Sequence, residues 1–147
     1  MNITELHIPT NYESCNRYQL FLSHHSQSFT LTTYFDAFRQ GKFELAVSSE
    51  ILNEYAEVFA QKMTQEISEN VTELILKQQN TIKTEIFYRW ALITVDYDDN
   101  KFVDTAISSA SDYVISHDGH FKVLKDIPFP SVSVISLDDF LLIINNL

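Results

Sequence analysis

Three carboxylates are placed by their neighbours where chemistry could be done. Glu54 follows the short apolar run Phe43-Glu44-Leu45-Ala46-Val47 and falls in the first turns of the helix that Ser48-Ser49-Glu50 opens with a hydroxyl cap. Asp99 precedes a helix whose apolar face carries Phe102, Val103, Ala106, Ile107 and Ala110. At roughly 100° per residue it projects near the middle of that face, an unusual direction for a carboxylate. Asp118 comes just after Tyr113-Val114-Ile115. In an open parallel sheet, strand exits and the starts of the following helices share one edge, and sites form there. Each acid also has an ordinary reading: Asp99 as a helix N-cap, Glu54 as a solvated residue bordering its apolar stripe, and Asp118-Gly119 as a turn. Jointly, three acidic oxygen donors on one edge make the hard ligand set that Mg²⁺ or Mn²⁺ prefers. Glu54, Asp99 and Asp118 are therefore the candidate catalytic and metal-ligating residues.

His117 and His120 flank Asp118 at a spacing that resembles a ligand pair, but zinc needs further ligands and Cys15 stands alone. His24-His25 sits among serines and reads as loop. The chain has no Gly-x-Gly-x-x-Gly, no phosphate-cradling glycine-rich loop and no Gly-x-Ser-x-Gly elbow, so nucleotide-binding and serine-hydrolase readings lose their main support.

The elements that would deliver the three acids are legible from about Thr30 onward. Tyr34, Phe35 and Phe38 at helical spacing predict a helix that Gln40-Gly41-Lys42 stops, and a strand over Phe43–Val47 follows. Ile51, Leu52, Tyr55, Val58 and Phe59 form one stripe of the next helix. Thr64 to Lys77 reads as a second amphipathic helix whose Glu66, Glu69 and Glu73 face water. Thr81 to Val95 is mixed, with extended and helical signals both present. Beyond Asp98 the pattern predicts helix (Asn100–Ala110), strand (Asp112–Ser116), helix (Gly119–Lys125), strand (Ser131–Ile135) and helix (Leu137–Asn145). Strands alternating with helices imply an α/β fold with a parallel sheet covered on both faces.

Composition bounds the rest. At 147 residues, with 45% hydrophobic and 20% charged, the chain suits one domain with a real core. Its 20 acidic against 10 basic side chains, a formal charge of −10, argue against holding nucleic acid by broad phosphate neutralisation. One cysteine cannot form an internal disulfide. No apolar run approaches the roughly 20 residues of a membrane span, and no basic-then-apolar leader opens the sequence. A cytoplasmic, soluble protein is expected.

Four segments carry a resemblance. Gly41-Lys42-Phe43-Glu44-Leu45-Ala46-Val47-Ser48-Ser49-Glu50-Ile51-Leu52-Asn53-Glu54-Tyr55 and Asp98-Asp99-Asn100-Lys101-Phe102-Val103-Asp104 are the most specific. Ser111-Asp112-Tyr113-Val114-Ile115-Ser116-His117-Asp118 and Val134-Ile135-Ser136-Leu137-Asp138-Asp139-Phe140 follow. Together, from about Phe35 to the end, they resemble the PIN-domain proteins, in the branch of VapC-like toxins of bacterial toxin–antitoxin pairs. The resemblance implies a three-layer fold with a central parallel sheet flanked by helices. It also implies a metal-dependent endoribonuclease, with Glu54, Asp99 and Asp118 around Mg²⁺ or Mn²⁺, an RNA substrate, a cognate antitoxin and a homodimer. The edge argument selects the same three acids.

The first central strand departs from the family. Members open with a strand ending in Asp-Thr-Asn, and that tripeptide is absent here; the nearest spelling, Ile8-Pro9-Thr10-Asn11, puts a proline where the aspartate belongs. The strand is therefore expected to be degenerate or missing. Tyr12 to Leu20 can be encoded TAT GAA AGT TGT AAT CGA TAC CAA TTG, which one base later reads Met-Lys-Val-Val-Ile-Asp-Thr-Asn. Residues 1–20 are accordingly read as an atypical, out-of-frame segment and 21–147 as the PIN domain. Three functions are compared: an active ribonuclease toxin, a catalytically dead PIN homologue binding an antitoxin or other protein, and an unrelated acidic α/β interaction domain. The motif run disfavours the third, and loss of one of four carboxylates would leave the chain weak or inactive as written.

Overall fold

Parallel pairing among short strands organises the molecule. The structure, a computed structural model, describes residues 17–20 and 28–146, with 17–20 and 28–31 described by backbone alone. The strands are β1 (Arg17–Leu20), β2 (Glu44–Val47), β3 (Thr81–Lys83), β4 (Tyr113–Ile115) and β5 (Val134–Ile135). They form one sheet in the order β3-β2-β1-β4-β5, and every neighbouring pair is parallel. The helices are α1 (Ser28–Arg39), α2 (Ser49–Lys62), α3 (Gln65–Lys77), α4 (Asn100–Ser108) and α5 (Leu137–Asn145). This is the α/β architecture expected. Among the described residues, no helix is long and apolar enough to cross a membrane.

The central position belongs to β1, with Tyr18 opposite Leu45 on one side and Tyr113 on the other. The first central strand is thus present, and its sequence, Arg17-Tyr18-Gln19-Leu20, is degenerate: it contains no acidic residue. Residues 1–16, where most of the out-of-frame reading falls, lie outside the described residues. Chain order reverses at β1, which has β2 on one flank and β4 on the other. Crevices open at such switch points beyond the carboxyl ends of the strands.

Local signals explain most elements. Gly41 adopts φ +71°, the left-handed conformation that ends α1. Asn80 Nδ2 then donates to the carbonyls of Phe38 (2.9 Å) and Phe43 (2.7 Å), pinning that turn beside the start of β3. Ser48 and Thr64 cap α2 and α3 by accepting from the N–H of Ile51 and Ile67. Ile51, Tyr55, Val58 and Phe59 are buried, as their stripe predicts. Phe43 packs against Tyr34 and Phe140, with ring centroids 4.9 and 5.0 Å apart, joining α1, the start of β2 and α5 in one aromatic core.

Three segments differ from expectation. Of the mixed stretch Thr81–Val95, only Thr81–Lys83 is strand. The remainder is irregular and is anchored by side chains: Arg89 to Glu50, the Trp90 N–H to Asp104 Oδ1 at 3.0 Å, and Ile93 to Asn100. Gly119–Asp126 is 3₁₀ rather than α-helix, and the last strand shortens to Val134–Ile135.

Candidate metal centre

The irregular segment ends in a 3₁₀ turn, Tyr97–Asp99, that runs directly into α4. Asp99 occupies the N-cap position of α4 but has helical backbone angles and makes no side-chain cap hydrogen bond. Its capping reading therefore fails. The carboxylate is instead buried, and its Oδ2 lies 2.9 Å from His120 Nδ1. Burial pushes Asp99 above the usual carboxylate range; the bond to His120 opposes this, and the charges of Asp96 and Asp118 add to it.

Asp118 behaves differently. Its Oδ1 accepts from the backbone N–H of His120 at 2.9 Å, capping the 3₁₀ helix, and lies 3.5 Å from His120 Nδ1. The turn reading of Asp118 is thus correct, yet the same oxygen also faces the cluster. His120 joins the two acids, and its hydrogen bond to Asp99 raises its pKa above the ordinary histidine value, with Asp118, Asp99 and Asp96 adding to the effect and desolvation opposing it.

Glu54 is linked through a lysine. Lys101 is 9% exposed, and its Nζ donates to Glu54 Oε2 at 2.8 Å and Asp98 Oδ2 at 2.7 Å. Burial pulls its pKa down, but the bonds to Asp98 and Glu54 outweigh that and hold the ammonium above the ordinary lysine value. Glu54 is therefore no freely solvated flank residue; it bridges α2 to the first turn of α4.

A second group emerges that the sequence does not single out. Asp96, Asp99 and His120 each offer one ligand atom, and these atoms all lie within 4.8 Å of one another. Two carboxylates and an imidazole suit a divalent cation. The three-residue step from Asp96 to Asp99 could have signalled the pairing only if the 3₁₀ turn, which eclipses i and i+3, were foreseen. His120, set aside as the weaker candidate, is drawn in because the capped turn at Asp118 aims it back toward Asp99. Asn100 holds the segment in place: its Oδ1 accepts from the Ile93 N–H, and its Nδ2 donates to the Ile93 and Tyr97 carbonyls.

No curated protein sequence matches the chain. Among solved structures, a chain in the crystal structure of VapBC2 from Rickettsia felis, bound to a DNA fragment from their promoter, has a similar fold. It shares 17% identity at a TM-score of 0.50, covering 82% of this chain and 98% of that one. A family model described as PIN domain matches residues 18–120, a span that runs from the central strand through Glu54, Asp99 and Asp118 to His120. This chain therefore belongs to the PIN-domain family.

Proposed function

We propose that this protein is a metal-dependent endoribonuclease, the toxin of a toxin–antitoxin pair. It would hydrolyse RNA phosphodiester bonds in the cytoplasm with Mg²⁺ or Mn²⁺ held by Glu54, Asp99 and Asp118. One observation carries the reading: in a PIN-family chain, Asp99 is buried at a helix start, does no capping, and meets His120 and Asp118 beyond the carboxyl end of β4. A divalent cation, when bound, supplies an activated water and neutralises charge developing on the phosphoryl oxygens. The residues of this chain do the holding. Asp99 and Asp118 bring oxygens to the cation, His120 orients both, and Lys101 fixes Glu54 while carrying a positive charge beside an otherwise acidic cluster.

A cognate antitoxin and a second copy of the chain are the proposed protein partners. The fold shared with the VapBC2 structure supports the antitoxin, and a charge of −10 suits a basic antitoxin segment. A second reading, a catalytically dead homologue that binds an antitoxin or another protein, is favoured by one observation. β1 contains no acidic residue, so the central strand brings no carboxylate to the site. In this proposal residues 1–20 are an out-of-frame segment, 21–147 are the PIN domain, and the chain as written cleaves weakly.

The test compares the chain with a version carrying Met-Lys-Val-Val-Ile-Asp-Thr-Asn in place of residues 12–19, each also as Asp99→Asn, on RNA with Mn²⁺ and with chelator. Cleavage by the restored version alone, lost in its Asp99→Asn form, is expected. Equal cleavage by both parents would show that the present N-terminus suffices. Silence from both would leave the binding module as the function.

A further inference from the structure

We infer that the cation site of this chain is a mixed oxygen–nitrogen site. In it, Asp96 Oδ, Asp99 Oδ2 and His120 Nδ1 are ligands, so that it selects transition ions such as Mn²⁺ and Co²⁺ over Mg²⁺. The inference deepens the proposed function and rests on it. What it changes is the donor set: an all-carboxylate site around Glu54, Asp99 and Asp118 would have no reason to reject Mg²⁺.

Geometry points to this set. Ligands at about 2.1 Å from a six-coordinate ion sit about 3.0 Å apart along an octahedral edge. Asp99 Oδ2 and His120 Nδ1 are 2.9 Å apart, and Asp96 brings an oxygen within 4.8 Å of both. The helix does not use Asp99, because α4 takes no cap bond from it. The imidazole is held from its own backbone, since the His120 N–H is bound by Asp118 Oδ1 while Nδ1 faces Asp99. Glu54, by contrast, is engaged by Lys101 at 2.8 Å, and taking it as a ligand would require breaking that ion pair.

Chemistry supplies the selectivity. Mg²⁺ favours oxygen donors and keeps its waters, gaining little from an imidazole, whereas affinity for nitrogen rises along the series from Mn²⁺ to Co²⁺. His117 is the internal control, being a neighbour of Asp118 that is outside the cluster.

The experiment titrates the full chain with Mn²⁺, Co²⁺ and Mg²⁺ as the bare cations, by calorimetry and by thermal shift, with the visible spectrum of the Co²⁺ form as an independent reading of nitrogen ligation. His120→Asn, His117→Asn and Asp96→Asn are compared, their folding checked by far-UV circular dichroism. His120 is part-exposed, so its replacement should leave the core intact. Mn²⁺ and Co²⁺ should bind at least about tenfold more tightly than Mg²⁺. His120→Asn should lose about 10- to 100-fold in Co²⁺ affinity and shift the Co²⁺ spectrum, the scale on which changes to a metal's protein shell are felt. His117→Asn should change neither. An unchanged ratio of Mn²⁺ to Mg²⁺ affinity in His120→Asn, with cations still bound, would overturn the nitrogen ligand and leave the metal-dependent nuclease standing. No binding of any cation to the parent would overturn both.

Discussion

Replacing Asn100 with alanine should cost about 3–5 kcal/mol, because one side chain satisfies three main-chain groups and each is worth about 1 kcal/mol when made and about 1–3 when stranded. Asn100 is 4% exposed at the first residue of α4. Its Oδ1 accepts from the Ile93 N–H at 2.9 Å, and its Nδ2 donates to the Ile93 carbonyl at 2.8 Å and the Tyr97 carbonyl at 2.9 Å. Truncation leaves Ile93, itself fully buried, with an N–H and a C=O facing protein rather than water. For a chain of this size each kcal/mol moves the melting temperature by about 2–4 °C, so a drop of about 10 °C is expected. In urea the midpoint should fall with an unchanged slope, since the surface exposed on unfolding is the same. Asn100→Asp keeps the acceptor for Ile93 but turns a carboxylate oxygen toward two carbonyls. It should be at least as damaging at neutral pH and recover in part when the carboxyl is protonated. The segment so held carries Asp96, so Co²⁺ affinity should fall alongside stability. A loss below about 1 kcal/mol would refute the argument, because that is what a single exchangeable hydrogen bond is worth.

Two further outcomes are expected. Asp104 is fully buried, one of its oxygens has no partner, and burial raises its pKa, so the folded protein holds this proton to higher pH than the unfolded chain does. Its cost to stability therefore grows as pH rises from the ordinary aspartate value through the raised one. The stability of Asp104→Asn relative to the parent should be greater at pH 7 than at pH 3 in urea titrations, and an identical difference at both would contradict the shift. Gly41→Ala should cost about 1 kcal/mol from φ alone, since a Cβ there meets nothing within 4 Å, and Gly41→Asn should cost less. Equal stability of all three proteins would show that the turn relaxes.

What could be read from the residues was whatever depends on local order. The stripe Ile51, Tyr55, Val58, Phe59 fixes the buried side of α2, and the phase of Asp99 against Phe102 and Val103 gives its inward direction. β1 was not readable, because Arg17-Tyr18-Gln19-Leu20 has neither alternation nor an apolar run, and pairing on both flanks makes it a strand. The stretch after Lys83 stayed mixed for a related reason: its partners are the side chains of Asp104 and Asn100, supplied by a helix that comes later in the chain. Asp96 and His120 escaped because their meeting depends on two 3₁₀ turns, whose i to i+3 bonding leaves no hydrophobic period behind.

The place of β1 in the sheet has a consequence for how the chain acquires its shape. During synthesis β2 follows β1 closely, so the pairing of Tyr18 with Leu45 forms early. The pairing of Tyr18 with Tyr113 must wait until most of the domain has been made. Contacts that span so much chain are slow to close. In the interval, the flank of β1 reserved for β4 is an open row of main-chain donors and acceptors, the kind of edge that recruits strands from other molecules. A nascent chain halted before Ser116 would therefore carry β1 and β2 with that edge uncovered, and its α4 would lack the β4 strand it packs on. Arrival of β4 does two things at once: it seals that edge and, three residues beyond its last, delivers Asp118 and then His120 to Asp99. The cation site is therefore assembled by the same late event that ends the period of exposure to aggregation.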